Sequence, residues 1–249
     1  MAVATSRYYL WSGRKVVSRG KIHEFAVVVS CVAIKMIIFV FKKLFLNMTD
    51  IQQSMREILD SESRAISNIP ITPAYDTAVE LILEHVHRKG GKVVTSGMGK
   101  AGQIAMNIAT TFCSTGTPAV NLHPAEAQHG DLGVIQPNDI MLLISNSGKT
   151  REIIDLVTLA HNLYPGLPLI VITGNPDSEL ASIADVALST GGSPEVCPLG
   201  LTPTTSTTMM TVIGDVLVVN VMRLAGFTRE QYALRHHGGY LGVKSRKVE

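Results

Sequence analysis

The sequence predicts an α/β fold with a doubly wound, five-stranded parallel sheet flanked by helices, and three features carry this prediction. The 249 residues are 46% hydrophobic with a net charge of only +2, a composition typical of a globular protein with a sizeable core. Short apolar runs of β type recur along the chain. Segments with helical spacing separate them, which is the pattern of a parallel sheet. The expected strands are residues 92–97, 119–122, 140–144, 169–173 and 186–189.

Helical patterns surround these strands. Apolar spacing predicts two helices between residues 51 and 89, broken at Pro70 and Pro73. The helices expected between strands span residues 100–114, 150–163 and 177–183, and a loop is expected from the second strand to residue 138. In the last helix, 209–222, Asp215 is the only charge. We expect this helix to be buried within a core or between subunits, because an isolated domain could not expose it.

The composition changes most strongly near Met48. Residues 1–47 carry eight Lys and Arg residues and one acid, whereas the 14 basic and 19 acidic residues of 48–249 give that part a net charge of −5. We therefore expect a basic and apolar N-terminal extension, 1–47, followed by one domain, 48–249. A basic surface for nucleic acid is absent from the larger part, so no nucleic-acid partner is predicted.

The extension contains a 17-residue apolar run, 25–41, which Lys35 interrupts. It is short for a membrane span, and without a small-residue cleavage site it does not favour a removed signal peptide. A third interpretation, translation starting at Met48, is favoured, because the acidic amphipathic segment that follows is a normal cytoplasmic N-terminus. The sequence leaves these alternatives open, and a membrane is a partner only if residues 1–47 are expressed. The three cysteines lack paired spacing, which fits a reducing cytoplasm.

The segment 145–150, SNSGKT, joins the third strand to a helix and ends like a nucleotide-binding loop. Such a loop needs a glycine five residues before Gly148, where this chain has Leu143. What remains is a turn that brings the hydroxyls of Ser145, Ser147 and Thr150 to the free amides of a helix N-terminus. This arrangement suits a phosphate monoester. The alternative is a Ser/Thr helix cap without a ligand.

The segment 97–102 satisfies the G-x-G-x-x-G pattern of dinucleotide-binding folds. That interpretation also requires an acid near the end of the second strand, and residues 97–125 contain none. Glycines here equally allow the backbone to approach a smaller ligand, and we expect Ser96, Gly97 and Gly99 to line its pocket. Lys100 would project at the carboxyl edge of the sheet, unless it is an ordinary solvated lysine.

Three further segments hold polar residues of interest. Residues 123–133 contain two histidines, two acids and two glycines, and residues 197–208 contain a cluster of hydroxyls before the apolar helix. The adjacent His236 and His237 raise the question of a metal, but no third ligand stands at a fixed spacing. No metal or cofactor is therefore predicted.

Together these stretches resemble the sugar isomerase (SIS) domain family, specifically its arabinose 5-phosphate isomerase branch, whose fold is flavodoxin-like. The segments that carry the resemblance are 96–102, 109–133, 144–153, 171–185, 197–208 and 233–242. The departures are Gly-Lys-Thr where close relatives often have Gly-Glu-Ser, and His237 where a proline is usual. The chain also stops without the paired CBS modules that many relatives append, which removes the basis for expecting nucleotide-type regulation.

The resemblance implies an aldose–ketose isomerase that interconverts D-ribulose 5-phosphate and D-arabinose 5-phosphate through an enediol, without a cofactor. Ser145, Ser147 and Thr150 match the loop that holds the substrate phosphate. The positions that match residues of the active site are Lys100, His129, Glu152 and His236.

Roles follow from the chemistry that this resemblance implies. Glu152 is expected to be the proton-transferring base, Lys100 to stabilise enediolate charge, and His129 and His236 to shuttle protons or open the sugar ring. The resemblance also implies a homotetramer with sites shared between subunits, and a product that supplies Kdo for lipopolysaccharide or capsule. Two alternatives stay open: a non-catalytic domain that senses sugar phosphates, and an isomerase of a heptose or hexulose phosphate.

Overall fold

A computed structural model describes the backbone of residues 19–246 and the side-chain environments of residues 33–42 and 50–246. The chain divides into two units, Met1–Glu57 and Ile58–Glu249. Helix α1 (Arg19–Ser67) includes the last residues of the first unit and the first residues of the second. Much of the predicted extension, 1–47, lies outside the residues with described side chains, so its interpretations stay predictions.

The larger unit is built on the predicted sheet. Its five strands are all parallel, in the spatial order β2-β1-β3-β4-β5, which confirms the doubly wound, flavodoxin-like prediction. The strands are β1 (Val93–Gly97), β2 (Ala119–Asn121), β3 (Ile140–Ile144), β4 (Leu169–Thr173) and β5 (Val186–Ser189). Every residue of β1, β3 and β4 is buried, because helices cover both faces of a parallel sheet.

The helices largely follow the predicted pattern. After α1, α2 (Ala74–Ile82) continues into a π-helical turn, Leu83–Arg88. The other helices are α3 (Gly99–Ser114), α4 (Pro124–Ala127), α5 (Arg151–Leu163), α6 (Glu179–Ser182), α7 (Thr205–Leu224), α8 (Arg229–Arg235) and α9 (Gly239–Arg246), with a 3-10 turn at Asp131–Val134. The predicted loop before residue 138 therefore contains two short helical turns, which are too short to show a hydrophobic period.

Two hydrophobic clusters lie on opposite faces of the sheet. Alternate strand residues such as Ile140 and Leu142 pack with α2, α3 and α7, whereas Met141 and Leu143 pack with α4, α5 and α6. The backbones of α3 and α7 come close, since a Cβ on Gly214 would overlap the side chain of Ile108. Helices on both faces are the defining feature of a doubly wound fold.

Helix α7 is the predicted apolar helix, and it begins four residues earlier than expected. One face is buried in the core through residues such as Met210, Ile213 and Leu217, while Val219 is 59% exposed and Leu224 is 60% exposed. Within the described residues, α7 is the one helix long and apolar enough to cross a bilayer, but a core helix meets the same criteria. Its packing on α2, α3 and β4 identifies it as a core helix.

The strand register determines where a site can form. Gly97 at the end of β1 pairs with Ile144 at the end of β3, so the loops that follow these strands lie side by side. The order of the strands reverses at this point, because β2 lies on one side of β1 and β3 on the other. Ligands of doubly wound folds bind at such a switch point.

Candidate active site

A pocket of about 300 Å³ lies at this edge of the sheet. Three segments line it: the loop after β1, the loop after β3, and the residues that lead into α7. The lining residues are Met98, Lys100, Ala101, residues 144–147, Thr150, Pro203, Ser206, Thr207 and Met210. The volume is at the lower end of the range for small-molecule sites, so the pocket suits a small ligand.

The loop after β3 is held in shape by its own hydroxyls. The Ser145 hydroxyl lies 2.8 Å from the Thr150 hydroxyl and accepts a hydrogen bond from the Gly148 amide at 3.2 Å. The Lys149 amide donates to the Ser147 hydroxyl at 3.2 Å. Gly148 has a φ of +61°, and a Cβ at this position would overlap the Ser178 side chain. Only glycine therefore fits this turn.

Helix α5 begins directly after the loop, with Thr150 as its N-cap. Among the described residues the Thr150 side chain makes no capping hydrogen bond to the first turn, because its hydroxyl is engaged with Ser145. A simple Ser/Thr cap therefore does not describe this turn. The amides of Arg151 and Glu152 precede the first residue that can bond within the helix, and they carry the positive end of its dipole. This end of α5 is suited to an anion.

Lys100 adds the positive charge of this pocket. It is the second residue of α3, exposed on the same pocket as Ser145, Ser147 and Thr150. A lysine at a helix N-terminus is unfavourable unless an anion is nearby. No ion pair of Lys100 occurs within the described part of the chain. Its charge is therefore available to a bound anion.

The third wall is organised by Glu195. Its carboxylate accepts hydrogen bonds from the Thr204 amide at 2.7 Å, the Thr204 hydroxyl at 2.9 Å and the Ser206 amide at 3.2 Å. It also accepts a hydrogen bond from the Ser206 hydroxyl. Burial raises the pKa of Glu195, but these hydrogen bonds, that of the Ser206 hydroxyl foremost, outweigh it and lower the pKa. Glu195 is therefore an ionised carboxylate at the N-terminus of α7.

Three predicted lining residues are not among those that line the pocket. Ser96 is fully buried and donates its hydroxyl to the Leu122 carbonyl oxygen at 2.5 Å. A Cβ on Gly97 would lie 2.8 Å from the backbone of Ala101, so this glycine lets α3 approach β1. Gly99 begins α3 with a φ of +57°. These positions shape the turn from β1 to α3 rather than the surface of the pocket.

The remaining predicted catalytic residues are Glu152, His129 and His236, and they lie in three different segments of the chain. Glu152 is half-buried in the first turn of α5, next to the phosphate loop, whereas His129 is exposed after α4. His236 follows α8 and stacks on Tyr232, with ring centroids 3.7 Å apart. Glu152, His129 and His236 are not among the residues that line the pocket of this single chain.

The hydrogen bond of His236 defines its protonation pattern. Its Nδ1 lies 3.0 Å from the Tyr232 carbonyl oxygen. Because a carbonyl oxygen only accepts, Nδ1 carries the hydrogen of this bond, and Nε2 of the neutral ring keeps its lone pair. The lone pair of Nε2 is thus free to accept a hydrogen bond.

Sequence reasoning identified the hydroxyl cluster 197–208 but assigned no residue in it. Pro203, Ser206 and Thr207 line the pocket. Glu195 lies outside the cluster, and a contact across eleven residues leaves no periodic signal. In the described ranges no group of three or more His, Cys, Asp or Glu residues could hold a metal ion. The donors that line the pocket are hydroxyls, amides and an amine, which suit an anion.

Comparisons with known proteins show which family this chain resembles. The sequence model of the SIS domain matches residues 87–220. Arabinose 5-phosphate isomerase KdsD of Shigella flexneri is 45% identical over 195 residues, which are 78% of this chain and 58% of the relative. The chain thus spans somewhat more than half the length of the curated relatives it matches.

Several solved structures are similar over 76% of this chain. A Bacteroides fragilis protein, described as a phosphosugar isomerase involved in capsule formation, is 69% identical with a TM-score of 0.76, and 99% of it is covered. A protein of Escherichia coli CFT073, solved in complex with arabinose 5-phosphate, is 34% identical with a TM-score of 0.70, and 98% of it is covered. The SIS match covers more than half of the 249 residues, so the chain belongs to the SIS domain family.

Proposed function

We propose that this SIS domain is an isomerase that interconverts D-ribulose 5-phosphate and D-arabinose 5-phosphate. The observation that carries the proposal is one small pocket in which a hydroxyl-lined turn, a helix N-terminus and Lys100 meet. The 45% identity to an arabinose 5-phosphate isomerase, and a 34% identical structure that binds arabinose 5-phosphate, support the choice of substrate.

Binding begins with the phosphate. In this proposal the hydroxyls of Ser145, Ser147 and Thr150 and the first amides of α5 donate to the phosphate oxygens. A phosphate held there leaves the sugar chain in the rest of the pocket, between the first turn of α5 and the start of α7. The ligand is thereby anchored at the end that does not react.

The reaction moves a proton between C1 and C2 through an enediol. Glu152 is two residues beyond Thr150, so a phosphate on the loop would bring a five-carbon chain near its carboxylate. We assign Glu152 as the base that moves this proton. Lys100 stabilises the negative charge that develops on the enediolate oxygen. His129 and His236 transfer protons at the two sugar oxygens or open the ring.

We propose that the site is completed by oligomerisation. His129 and His236 do not line the pocket of their own chain, and α7 exposes the apolar side chains Val216, Val219 and Leu224. A homotetramer that covers this face would supply one subunit's histidines to another subunit's pocket. We place the reaction in the cytoplasm, where its product would feed Kdo synthesis for lipopolysaccharide or capsule.

Turnover of D-ribulose 5-phosphate by the full chain, followed by separation of the pentose phosphates, tests the proposal. We expect arabinose 5-phosphate to form, and Glu152→Gln to lower kcat by about 10²- to 10⁴-fold while the substrate still binds. Asp155→Asn, one turn further along α5, is the matched control and keeps its activity. Binding without conversion would identify a sensor domain, and conversion of a heptose or hexulose phosphate alone would identify another isomerase.

A further inference from the structure

The pocket has two polar walls that differ in what they can offer to a ligand. The wall formed by residues 145–150 and the start of α5 presents amides and hydroxyls that donate hydrogen bonds. Opposite it, the N-terminal turn of α7 contributes Ser206, which is only 3% exposed and lines the pocket. The chemistry of this second wall depends on where the Ser206 proton goes.

The Ser206 proton is committed to Glu195. The Ser206 hydroxyl donates to Glu195 Oε1, while Glu195 Oε2 accepts from Thr204 and from the Ser206 amide. An ionised carboxylate can only accept, so the direction of the bond from the Ser206 hydroxyl is fixed. A hydroxyl has one proton and two lone pairs, so Ser206 has only its lone pairs left for the pocket.

We propose that Ser206, oriented by Glu195, accepts a hydrogen bond from a hydroxyl group of the sugar, and that this contact selects hydroxylated phosphate esters. Ser206 is then a specificity-determining residue and Glu195 its positioning residue. A phosphate ester dianion, whose oxygens only accept, gains nothing from this wall. The inference rests on the proposed function and deepens it, because it orients the sugar with its phosphate on the β3 loop and its hydroxyls toward α7.

Capping of α7 alone does not account for the arrangement. The carboxylate accepts hydrogen bonds from the amides of Thr204 and Ser206, which have no acceptor within the helix. A helix N-terminus requires such acceptors. The bond from the Ser206 hydroxyl lies outside that requirement, and it concerns a side chain on the pocket. A purely structural Glu195 and a selecting Ser206 therefore predict different ligand dependence.

The test compares three ligands by calorimetry on the full chain: inorganic phosphate, n-pentyl phosphate and D-arabinose 5-phosphate. We expect Ser206→Ala to weaken binding of the sugar phosphate by about five- to tenfold, the worth of one hydrogen bond. The other two affinities should stay unchanged, because those ligands carry no hydroxyl group on carbon. Thr208→Ala, which removes a hydroxyl bonded to the Thr204 carbonyl outside the pocket, is the matched control.

Glu195→Gln tests the positioning role. An amide nitrogen in place of Oε1 donates to Ser206 and frees the Ser206 proton, so the direction of the bond to the sugar is no longer fixed. We expect a loss that is again confined to the sugar phosphate but smaller than in Ser206→Ala. Thermal unfolding monitors the fold of each variant. Ser206→Ala leaves the capping carboxylate in place, and it reports on the hydroxyl even if Glu195→Gln unfolds.

The outcomes separate the two proposals. If Ser206→Ala weakens the binding of all three ligands equally, or leaves the preference for the sugar phosphate unchanged, the role of Ser206 is overturned. Turnover by the intact chain would then still support the isomerase proposal. If the intact chain shows the preference and Ser206→Ala loses it, the inference stands, even where no turnover occurs and the isomerase proposal fails. If the intact chain does not prefer the sugar phosphate to n-pentyl phosphate, the role of Ser206 fails, and turnover alone decides the isomerase proposal.

Discussion

The hydrogen bond between the hydroxyls of Ser145 and Thr150 should stabilise the phosphate turn measurably. The two oxygens are 2.8 Å apart, and Ser145 is only 2% exposed. The perturbations are Ser145→Ala, Thr150→Val and the double variant. Each single change removes the bond. Thr150→Val also keeps the backbone preference of this position, because valine retains the β-branch of threonine.

The size of the effect follows from what each variant leaves behind. Ser145→Ala also removes an acceptor of the Gly148 amide, but that amide still donates to the Ser145 carbonyl oxygen at 3.2 Å. Thr150→Val leaves the buried Ser145 hydroxyl without this partner and should cost more, up to about 3 kcal/mol. In Ser145→Ala no buried donor is orphaned, so its loss is near the net value of one hydrogen bond, about 1 kcal/mol. In a domain of this size this corresponds to a fall in Tm of about 2–4 °C.

Urea unfolding of the four proteins measures the coupling. We expect the double variant to lose at least about 1 kcal/mol less than the sum of the two single variants, because both remove the same bond. Losses that add within about 0.3 kcal/mol would show that the two hydroxyls do not stabilise the turn together. The intact chain and the variants must show the same m-value for this comparison to hold.

Three further predictions concern single groups. The folded-state pKa of Glu195 lies below its ordinary value of 4.5. The ionised carboxylate therefore stabilises the fold above that pH, and this stabilisation is lost as the pH falls through the folded pKa. Glu195→Gln should flatten the acid limb of the Tm–pH curve, and an unchanged limb would contradict this. The Thr202 amide, with other backbone amides, lowers the pKa of Cys197 to about 7. The rate of iodoacetamide alkylation at this thiol should therefore rise with a midpoint near pH 7. Cys197→Ser is the blank, and a midpoint near pH 9 would refute the lowered pKa. Asp139 is 1% exposed and pairs with Lys92 Nζ at 2.6 Å, so Asp139→Ala should cost about 3 kcal/mol in urea unfolding, and a loss below about 1 kcal/mol would contradict a buried pair.

The sheet and most helices could be predicted because their signals are local. Each strand is a short apolar run with glycine, proline or polar residues at its ends, and the bounds of β3, β4 and β5 agree with the prediction. Helix α8 was missed although the chain carries a capping box, in which Thr228 and Gln231 each accept a bond from the other's backbone. A helix of seven residues has too few turns for a hydrophobic period, so the cap was its only local signal.

The site was predictable only in part, for the same reason. The phosphate loop and Lys100 follow strands that lie side by side, so the sheet topology alone brings them together. Ser206 reaches the pocket because α7 packs against α3, and Glu195 reaches Ser206 through a loop without regular structure. Such tertiary contacts leave no spacing in the sequence. That Ser96 and Gly97 do not line the pocket likewise depends on how closely α3 approaches β1.

The measurement that tests the central claim most directly is a crystal structure of the full chain carrying Glu152→Gln with D-arabinose 5-phosphate bound. The account predicts that the phosphate lies within hydrogen-bonding distance of Ser145, Ser147 and Thr150, and that a sugar hydroxyl reaches Ser206. A phosphate bound away from the loop after β3, or a sugar chain directed away from α7, would contradict it.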